Sequence, residues 1–301
     1  MKHKLITFLA ATGMLIGAAI LLYPVVSNMQ FRNSQQELID YYENQVREIP
    51  EKQLDSMWND CFEYNEMLLD SKVRLTDPFD TEGNELDEHP YIDLLNRSGD
   101  GSMCSLEIPA INCRLMVYHY TDEDVLAKGI GHLQGTSLPV GGKGTHAVLS
   151  GHTGTADKEL FTNLDQLRIG DVFYIHVLGE TLAYQVDSKQ VVLPEETEGL
   201  YIDRERDLVT LVTCTPYGVN SHRLLVRGTR ISYEEAKVIE ENQGNAVSNT
   251  WKKQYVYAVL VGLGISVVVV IVIIVVYRKV IKRRAESEKE RKEQISDEKN
   301  S

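Results

Sequence analysis

The sequence predicts a mainly β protein: an eight-stranded, closed or nearly closed β-barrel with an N-terminal helical hairpin and two flanking transmembrane helices. Between Met103 and Arg230, short β-branched and apolar runs alternate with Gly-containing turns, as is typical of a small barrel. Upstream, apolar residues recur at spacings of three and four, which indicates amphipathic helices. Two long uncharged stretches lie outside these regions, and each is long enough to cross a bilayer.

The two uncharged stretches are predicted to be membrane spans. Leu5–Val26 holds 22 residues and Tyr255–Tyr277 holds 23, enough at about 1.5 Å per residue to cross a hydrocarbon core of about 30 Å. The first is predicted to be a retained anchor or uncleaved signal, because no small-x-small cleavage site follows it; a cleaved signal peptide is the alternative. Lys and Arg are concentrated before the first span and after the second. We therefore expect both termini in the cytoplasm and residues 27–254 on the extracellular face of the cell membrane.

The external segment is strongly acidic. The two flanks hold 11 of the 31 Lys and Arg residues and 6 of the 44 Asp and Glu residues, which leaves residues 27–254 with a net charge of −18. This charge disfavours nucleic acid as a partner and favours Lys-bearing protein surfaces. An acidity that only keeps the domain soluble is the alternative.

Helical patterns lie on both sides of the predicted barrel. Residues 34–71 form a predicted helical hairpin that acts as a stalk, with Pro50 at the start of its second helix. A short helix is predicted near Asp122–Lys128 and a polar one at Ser232–Asn245. The predicted order is therefore a cytoplasmic N-terminus (1–4), a membrane anchor (5–26), a helical stalk (27–75), a long loop (76–102), the barrel (103–232), a helical linker (233–254), a transmembrane helix (255–277) and a charged cytoplasmic tail (278–301).

Eight strands follow from the alternation of β-forming runs and turns. Gly179 and Glu180 are predicted to form a two-residue hairpin turn. The predicted strands are Cys104–Ile108, Asn112–Tyr118, Thr145–Ser150, Asp171–Val177, Thr181–Asp187, Gln190–Leu193, Leu208–Thr213 and His222–Arg230.

Of the four cysteines, the sequence singles out one for chemistry. If residues 108–111 close a hairpin, Cys104 and Cys113 are diagonal neighbours about 7–8 Å apart, which disfavours a disulfide unless a bulge intervenes. Cys61 falls within a helical pattern. Cys214 stands where a predicted strand meets the turn residues Pro216 and Gly218, a place suited to a nucleophile. A small buried core residue is the alternative for this thiol.

A base and an anion stabiliser are candidates beside Cys214. Arg223 opens the next strand, and consecutive strands usually pair, so its guanidinium can lower the pKa of the thiol and bind an oxyanion. The alternative for Arg223 is an exposed charge on a strand. His152 follows another strand and is the candidate base, although it can be an ordinary turn histidine. Sequence spacing does not choose between it and its rivals His119, His132, His146, His176 and His222.

The long loop contains a candidate plug and a weak candidate metal site. Phe79 stands beside Pro78 in a polar stretch, as an aromatic plug would. Asp80, Glu82 and Asn84 alternate as in a calcium loop, but Glu85 occupies the place where such a loop needs Gly. We therefore expect no metal and no cofactor.

Three motifs resemble those of sortases. TLVTC (Thr210–Cys214) matches the sortase TLxTC signature, while Ser150–Gly154 and His222-Arg223 match the family's histidine and arginine segments. The similarity runs from about Cys104 to Arg230, and residues 132–142 look like the class C branch of Gram-positive bacteria, which polymerises pilins. Asp77, Pro78 and Phe79 resemble the class C lid motif, in which an acidic residue meets the active-site Cys or Arg and an aromatic covers the pocket. The C-terminal span is also typical of that branch.

The resemblance implies a sortase-type barrel and a cysteine transpeptidase. Cys214 would cleave an LPxTG-like sorting signal between Thr and Gly, and the thioacyl enzyme would pass the pilin to a Lys amine on another pilin. His152 would serve as general acid and base, and Arg223 would stabilise the oxyanion and the peptide. Two alternatives stay open: a sortase that anchors surface proteins to the cell wall, and a non-catalytic, membrane-tethered adhesion barrel.

Overall fold

The computed structural model describes residues 2–71, 73–80, 90–153 and 158–243, together with scattered helical positions between 257 and 287. The chain divides into two units, Met1–Ser248 and Asn249–Ser301. The predicted second span, Tyr255–Tyr277, and the predicted tail, 278–301, lie largely outside the described residues.

Helices flank a set of eight strands. The α-helices of the first unit are α1 (Lys2–Arg47), α2 (Glu51–Asp70), α3 (Glu123–Leu126) and α4 (Tyr233–Gln243). The strands are β1 (Ser102–Ile108), β2 (Cys113–His119), β3 (Ile130–His132), β4 (Thr145–Ser150), β5 (Val172–Val177), β6 (Glu180–Val192), β7 (Asp207–Thr215) and β8 (His222–Ile231).

The strands close into a barrel in the order β1-β2-β3-β4-β7-β8-β6-β5. The pairs β2–β3 and β4–β7 are parallel, and the other pairs are antiparallel. Buried aliphatic and aromatic side chains from most strands, such as Leu149, Phe173 and Leu211, form the core. The predicted eight-stranded, mainly β fold is confirmed.

The count of eight strands was right, but two of the predicted strands were wrong. Thr181–Asp187 and all of Gln190–Leu193 except Leu193 belong to one strand, β6, whose register shifts between Val186 and Ser188. The polar residues that suggested a break instead mark a β-bulge, which interrupts pairing without ending the strand. The missing strand is β3, which has only three residues and therefore carries no periodic pattern.

Two predicted turns are also displaced. Val177 pairs with Glu180, so Leu178 and Gly179 form the β5–β6 turn, with φ of 48° and 83°. In the β1–β2 hairpin, Ile108 pairs with Cys113 and Cys104 pairs with Val117. Cys104 and Cys113 are therefore further apart than the predicted diagonal, and all four cysteines are free and buried.

The predicted helical hairpin packs directly on the barrel. Gln35 of α1 is buried; its amide nitrogen donates to Lys128 O (2.9 Å), and its amide oxygen accepts from Met116 N (2.9 Å). Asn65 of α2 donates to Leu138 O (3.2 Å) and accepts from Leu138 N (2.7 Å). Because buried amides bond to backbone groups of the barrel, the helices are held in a fixed place on it.

Helix α1 is continuous from the predicted anchor into the predicted stalk. Its N-terminal half is apolar and exposed, as at Leu15 (72%) and Ile20 (68%). Among the described residues, α1 is the one helix whose length and composition suffice to cross a membrane, with a mean hydropathy of 1.5 over its most apolar window.

Candidate active site

Cys214 and Arg223 are direct neighbours in the barrel. β7 ends at Thr215 and β8 begins at His222, and the antiparallel register pairs Cys214 with Arg223. The preceding residues of β7, Leu211 and Val212, are fully buried, so a rigid strand fixes the position of the thiol. The structure thus brings together the predicted nucleophile and the predicted oxyanion stabiliser.

The thiol of Cys214 is held in its neutral form. Burial raises its pKa above the ordinary value, the guanidinium of Arg223 lowers it, and the carboxylate of Asp77 raises it. Burial and Asp77 together outweigh Arg223, so the pKa of the thiol is raised. Since Asp77 is one of these causes, the charge of the thiol depends on where the segment that carries Asp77 lies.

His152 follows β4, which lies beside β7 as a parallel neighbour. Thr213 Oγ1 donates to Gly151 O (2.7 Å), and Gly151 N donates to Val212 O (3.0 Å). A side chain at position 151 would clash, because a Cβ would lie 2.6 Å from Ile130 and 2.9 Å from Phe161. The backbone that carries His152 is thus bonded to the two residues that precede Cys214.

The imidazole of His152 is half-buried and also neutral. Burial lowers its pKa, although Glu123 raises it in part. A neutral imidazole has a free lone pair and can accept the proton of an attacking thiol.

Two of the five rival histidines, His146 and His132, are buried, and both ring nitrogens of each are hydrogen-bonded. His146 bonds to Thr210 Oγ1 (2.7 Å) and Tyr201 O (2.8 Å), and burial lowers its pKa to about 4. His132 bonds to Tyr91 Oη and Ser137 O (both 2.8 Å), and burial lowers its pKa to about 3.

The other three rivals also bond to groups other than Cys214. His119 bonds to Gly101 O (2.9 Å) and Leu94 O (2.8 Å). His176 pairs with Glu107 (3.0 Å), and His222 bonds to Ser221 (2.9 Å). Among the histidines of the described residues, His152 is the one whose ring contacts the segment that covers Cys214 and Arg223.

That covering segment is Asp77–Phe79, which we call the lid tip. Asp77 accepts two hydrogen bonds from Arg223, from Nε (2.8 Å) and Nη2 (2.6 Å), and each side chain of this ion pair is 12% exposed. The ring of Phe79 lies 5.8 Å from the His152 ring and 5.0 Å from the guanidinium carbon of Arg223. Pro78 is buried. The lid tip therefore binds the same groups that a substrate would need.

Leu75, which we call the lid stem, is held differently. Its side chain packs with Leu133, Val148 and Val212 in a hydrophobic cluster. Its backbone N–H donates to Tyr201 Oη and its carbonyl accepts from Thr197 Oγ1, both at 3.4 Å. The stem is anchored to the barrel, while the tip is bonded to Arg223 and packs against His152.

Sequence reasoning missed several residues around this site. Thr213 belongs to the TLVTC motif, but nothing in the motif indicates that its hydroxyl bonds to Gly151. Tyr201 and Thr197 carry no motif at all. Among the described residues, no group of three or more His, Cys, Asp or Glu side chains is arranged to hold a metal ion.

The sequence matches the sortase domain family over residues 106–231. It is 29% identical to sortase D of Bacillus subtilis (strain 168) over 130 residues, which are 42% of this chain and 63%, less than two thirds, of that protein. It is 27% identical to sortase A of Bacillus anthracis over 158 residues, which are 52% of this chain and 73% of that protein.

Solved sortase C structures match at higher identity. The chain is 46% identical to sortase C-1 of Actinomyces oris, covering 60% of this chain and 99% of that one, with a TM-score of 0.56. It is 41% identical to sortase C of Streptococcus pneumoniae, covering 65% and 97%, and to sortase C1 of Streptococcus agalactiae, covering 66% and 98%, each with a TM-score of 0.61. The chain therefore belongs to the sortase family of cysteine transpeptidases, in its class C branch.

Proposed function

We propose that this protein is a membrane-anchored transpeptidase that polymerises pilin subunits. The observation that carries the proposal is the pairing of Cys214 with Arg223 beneath a lid tip that also contacts His152. A thiol, a cation and an imidazole in one covered site form a constellation suited to acyl transfer through a thioester.

The first half-reaction begins when the lid tip leaves Arg223. Cys214 Sγ attacks the Thr carbonyl of an LPxTG-like sorting signal, and the thiol proton passes to His152. Arg223, freed from Asp77, stabilises the tetrahedral oxyanion. The imidazolium of His152 then protonates the leaving Gly amine, the Thr–Gly bond breaks, and the thioester remains on Cys214.

The second half-reaction transfers the acyl group. A Lys amine of another pilin attacks the thioester, and His152 takes a proton from the incoming amine. The C–S bond breaks, an isopeptide bond forms, and the proton returns to the thiolate. A lid that opens only for substrate limits hydrolysis of the thioester and oxidation of the thiol.

Pilin subunits are the proposed partners. The matched Streptococcus pneumoniae enzyme is described in connection with pilin substrate specificity, and one matched group B Streptococcus sortase C as pilus-related. The net charge of −18 on residues 27–254 suits a substrate that brings a Lys amine to the site. We propose no nucleic-acid partner and no cofactor.

The proposed location is the cell membrane, with the barrel outside and both termini in the cytoplasm. Helix α1 supports one span, and the second span and the domain boundaries rest on hydropathy and on the distribution of Lys and Arg. The proposed sortase catalytic barrel is 103–232, and residues 76–102 hold the lid.

Incubation of the purified protein with a pilin that bears a sorting signal tests the function. We expect covalent ladders that disappear with Cys214→Ala. Single adducts to a cell-wall peptide without ladders would favour cell-wall anchoring instead. Thiol labelling that a sorting-signal chloromethyl ketone does not block would favour a non-catalytic barrel. Ladders retained by Cys214→Ala would reject the proposed nucleophile.

A further inference from the structure

The barrel has two distinct ends, and strand direction defines them. β4 and β7 both run toward the site, and β8 begins there; we call this the site end. β3 is antiparallel to β4, and β2 is parallel to β3, so β2 also begins at the site end. β1 therefore begins, and β5 ends, at the opposite, far end.

Helix α1 crosses the barrel from the site end to the far end. Arg32 donates to Asn112 O (3.3 Å), just before β2, and pairs with Glu159 (2.6 Å). Ten residues later, Tyr42 donates to Met103 O (2.8 Å) and accepts from Leu178 N (3.3 Å), at the start of β1 and the end of β5. The earlier part of the helix thus contacts the site end.

The apolar part of α1 lies immediately before that contact. Arg32 lies six positions after Val26, the end of the predicted span, which is a helical rise of about 9 Å. Tyr42 lies about 15 Å further along the axis. The site end is therefore the end of the barrel nearer to the predicted span.

Helix α4 gives an independent indication. It begins after β8, at the far end, and its last described residue, Gln243, donates to Gly170 O (3.0 Å), just before β5 at the site end. The chain thus returns to the site end before the predicted second span, which follows after eleven residues of sequence.

Exposed apolar side chains are concentrated at the same end. Of six exposed large hydrophobic residues in the described barrel, five lie at the site end and the sixth, Tyr201, lies in a connection. The five are Ile169, Val191, Leu193, Tyr217 and Val219. Apolar side chains of a peripheral surface bury at the boundary between headgroups and acyl chains, and Tyr is enriched at the interface between bilayer and water.

We propose that the site end of the barrel faces the membrane, so that its apolar rim lies at the lipid headgroups. A polypeptide substrate would then meet Cys214 in the space between the barrel and the bilayer. This orientation rests on the membrane span of the proposed function and goes beyond it, because a span alone does not decide which end of the barrel faces the lipid.

Labels at both ends of the barrel test the orientation. The full chain with Cys214→Ala, which keeps the buried Cys61, Cys104 and Cys113, is placed in phospholipid vesicles that contain a nickel-chelating headgroup. Single fluorophores are attached through Asn112→Cys or Val219→Cys at the site end, and through Lys143→Cys or Glu180→Cys at the far end. All four positions are exposed.

We expect the headgroup nickel to quench the two site-end labels several-fold more than the two far-end labels. Equal quenching, or stronger quenching of the far-end labels, would overturn the orientation. Protein that fails to float with the vesicles would overturn the span and the orientation with it. Neither result bears on the proposed transpeptidase activity. That activity is tested separately, by the formation of covalent ladders by the wild-type chain in detergent.

Discussion

Two of the Arg–Asp pairs on strand β8 have nearly the same local geometry but different surroundings. Arg223 donates to Asp77 through Nε and Nη2, and Arg227 donates to Asp187 through the same two atoms, at 2.9 and 3.2 Å. Asp187 also accepts from Arg206 and from Thr229 Oγ1 (2.7 Å). A bidentate ion pair is therefore not in itself a sign of function.

The difference lies in what each carboxylate is attached to. Asp187 sits at the bulge of β6, and its extra donors join β6, β8 and the segment before β7. Asp77 lies on the lid tip, outside the barrel, and meets Arg223 beside Cys214. Removal of the first breaks a network within the barrel, whereas displacement of the second frees the guanidinium for another anion. We therefore expect the first pair to be structural and the second to be open to displacement by a substrate.

The largest expected effect is on ladder formation, when each arginine is replaced by lysine. Arg223→Lys should lower ladder formation by about 100-fold or more, because a point ammonium cannot replace the planar fork at an oxyanion. Arg227→Lys is the matched control on the same strand and should leave ladder formation within a few-fold of the wild type. The rate of ladder formation from purified pilin is measured for both variants. Similar losses of rate would mean that the Arg223–Asp77 pair is no more important for catalysis than the Arg227–Asp187 pair.

Replacing the two aspartates should change different properties: the labelling rate of Cys214 for Asp77, and the Tm for Asp187. Asp77→Asn should raise the rate at which a small thiol reagent labels Cys214 by about tenfold, because a hydrogen bond between charged groups contributes about 1.5–3 kcal/mol to the closed lid. Asp187→Asn should lower the Tm and leave the labelling rate unchanged. Mass spectrometry measures the labelling rate of Cys214, and thermal unfolding measures the Tm of each variant. Equal labelling of wild type and Asp77→Asn would show that the lid tip does not guard the thiol.

The pH dependence of labelling sharpens the same comparison. Asp77 raises the pKa of Cys214, so Asp77→Asn should lower that pKa and shift the labelling profile to lower pH. Below the thiol pKa, the rate follows the thiolate fraction and rises about tenfold per pH unit. The variant should therefore level off at a pH where the wild type still rises. An unshifted profile in the variant would mean that Asp77 acts only as a steric cover.

Much of the fold was predictable, because the barrel strands and helices carry clear periodic patterns. Cys214 and Arg223 could be paired in advance, since consecutive strands usually pair. β3 could not be predicted from three residues, because its partner strands impose its conformation. The bulge at Asp187 looked like a turn because a polar side chain that bonds to distant arginines cannot be distinguished from a solvated one.

The choice of His152 among the histidines needed either the resemblance or the structure. His152 is placed by the parallel pairing of β4 with β7, and the Thr213–Gly151 bond joins residues 62 positions apart. The stem contact between Leu75 and Tyr201 joins residues 126 positions apart and follows no sequence signal. Sequence patterns describe local structure and therefore do not predict contacts between residues so far apart in the chain.

The smallest expected effect belongs to the lid stem. Tyr201→Phe removes the hydroxyl that accepts from Leu75 N at 3.4 Å, a long hydrogen bond on a partly exposed side chain. A hydrogen bond of ordinary strength contributes about 0.5–1.5 kcal/mol, so this change should raise the labelling rate of Cys214 by threefold at most, about 0.6 kcal/mol. Tyr41→Phe, at an exposed position of α1, is the control and should leave the rate unchanged. A rise as large as that of Asp77→Asn would mean that the stem, and not the ion pair of the tip, holds the lid shut.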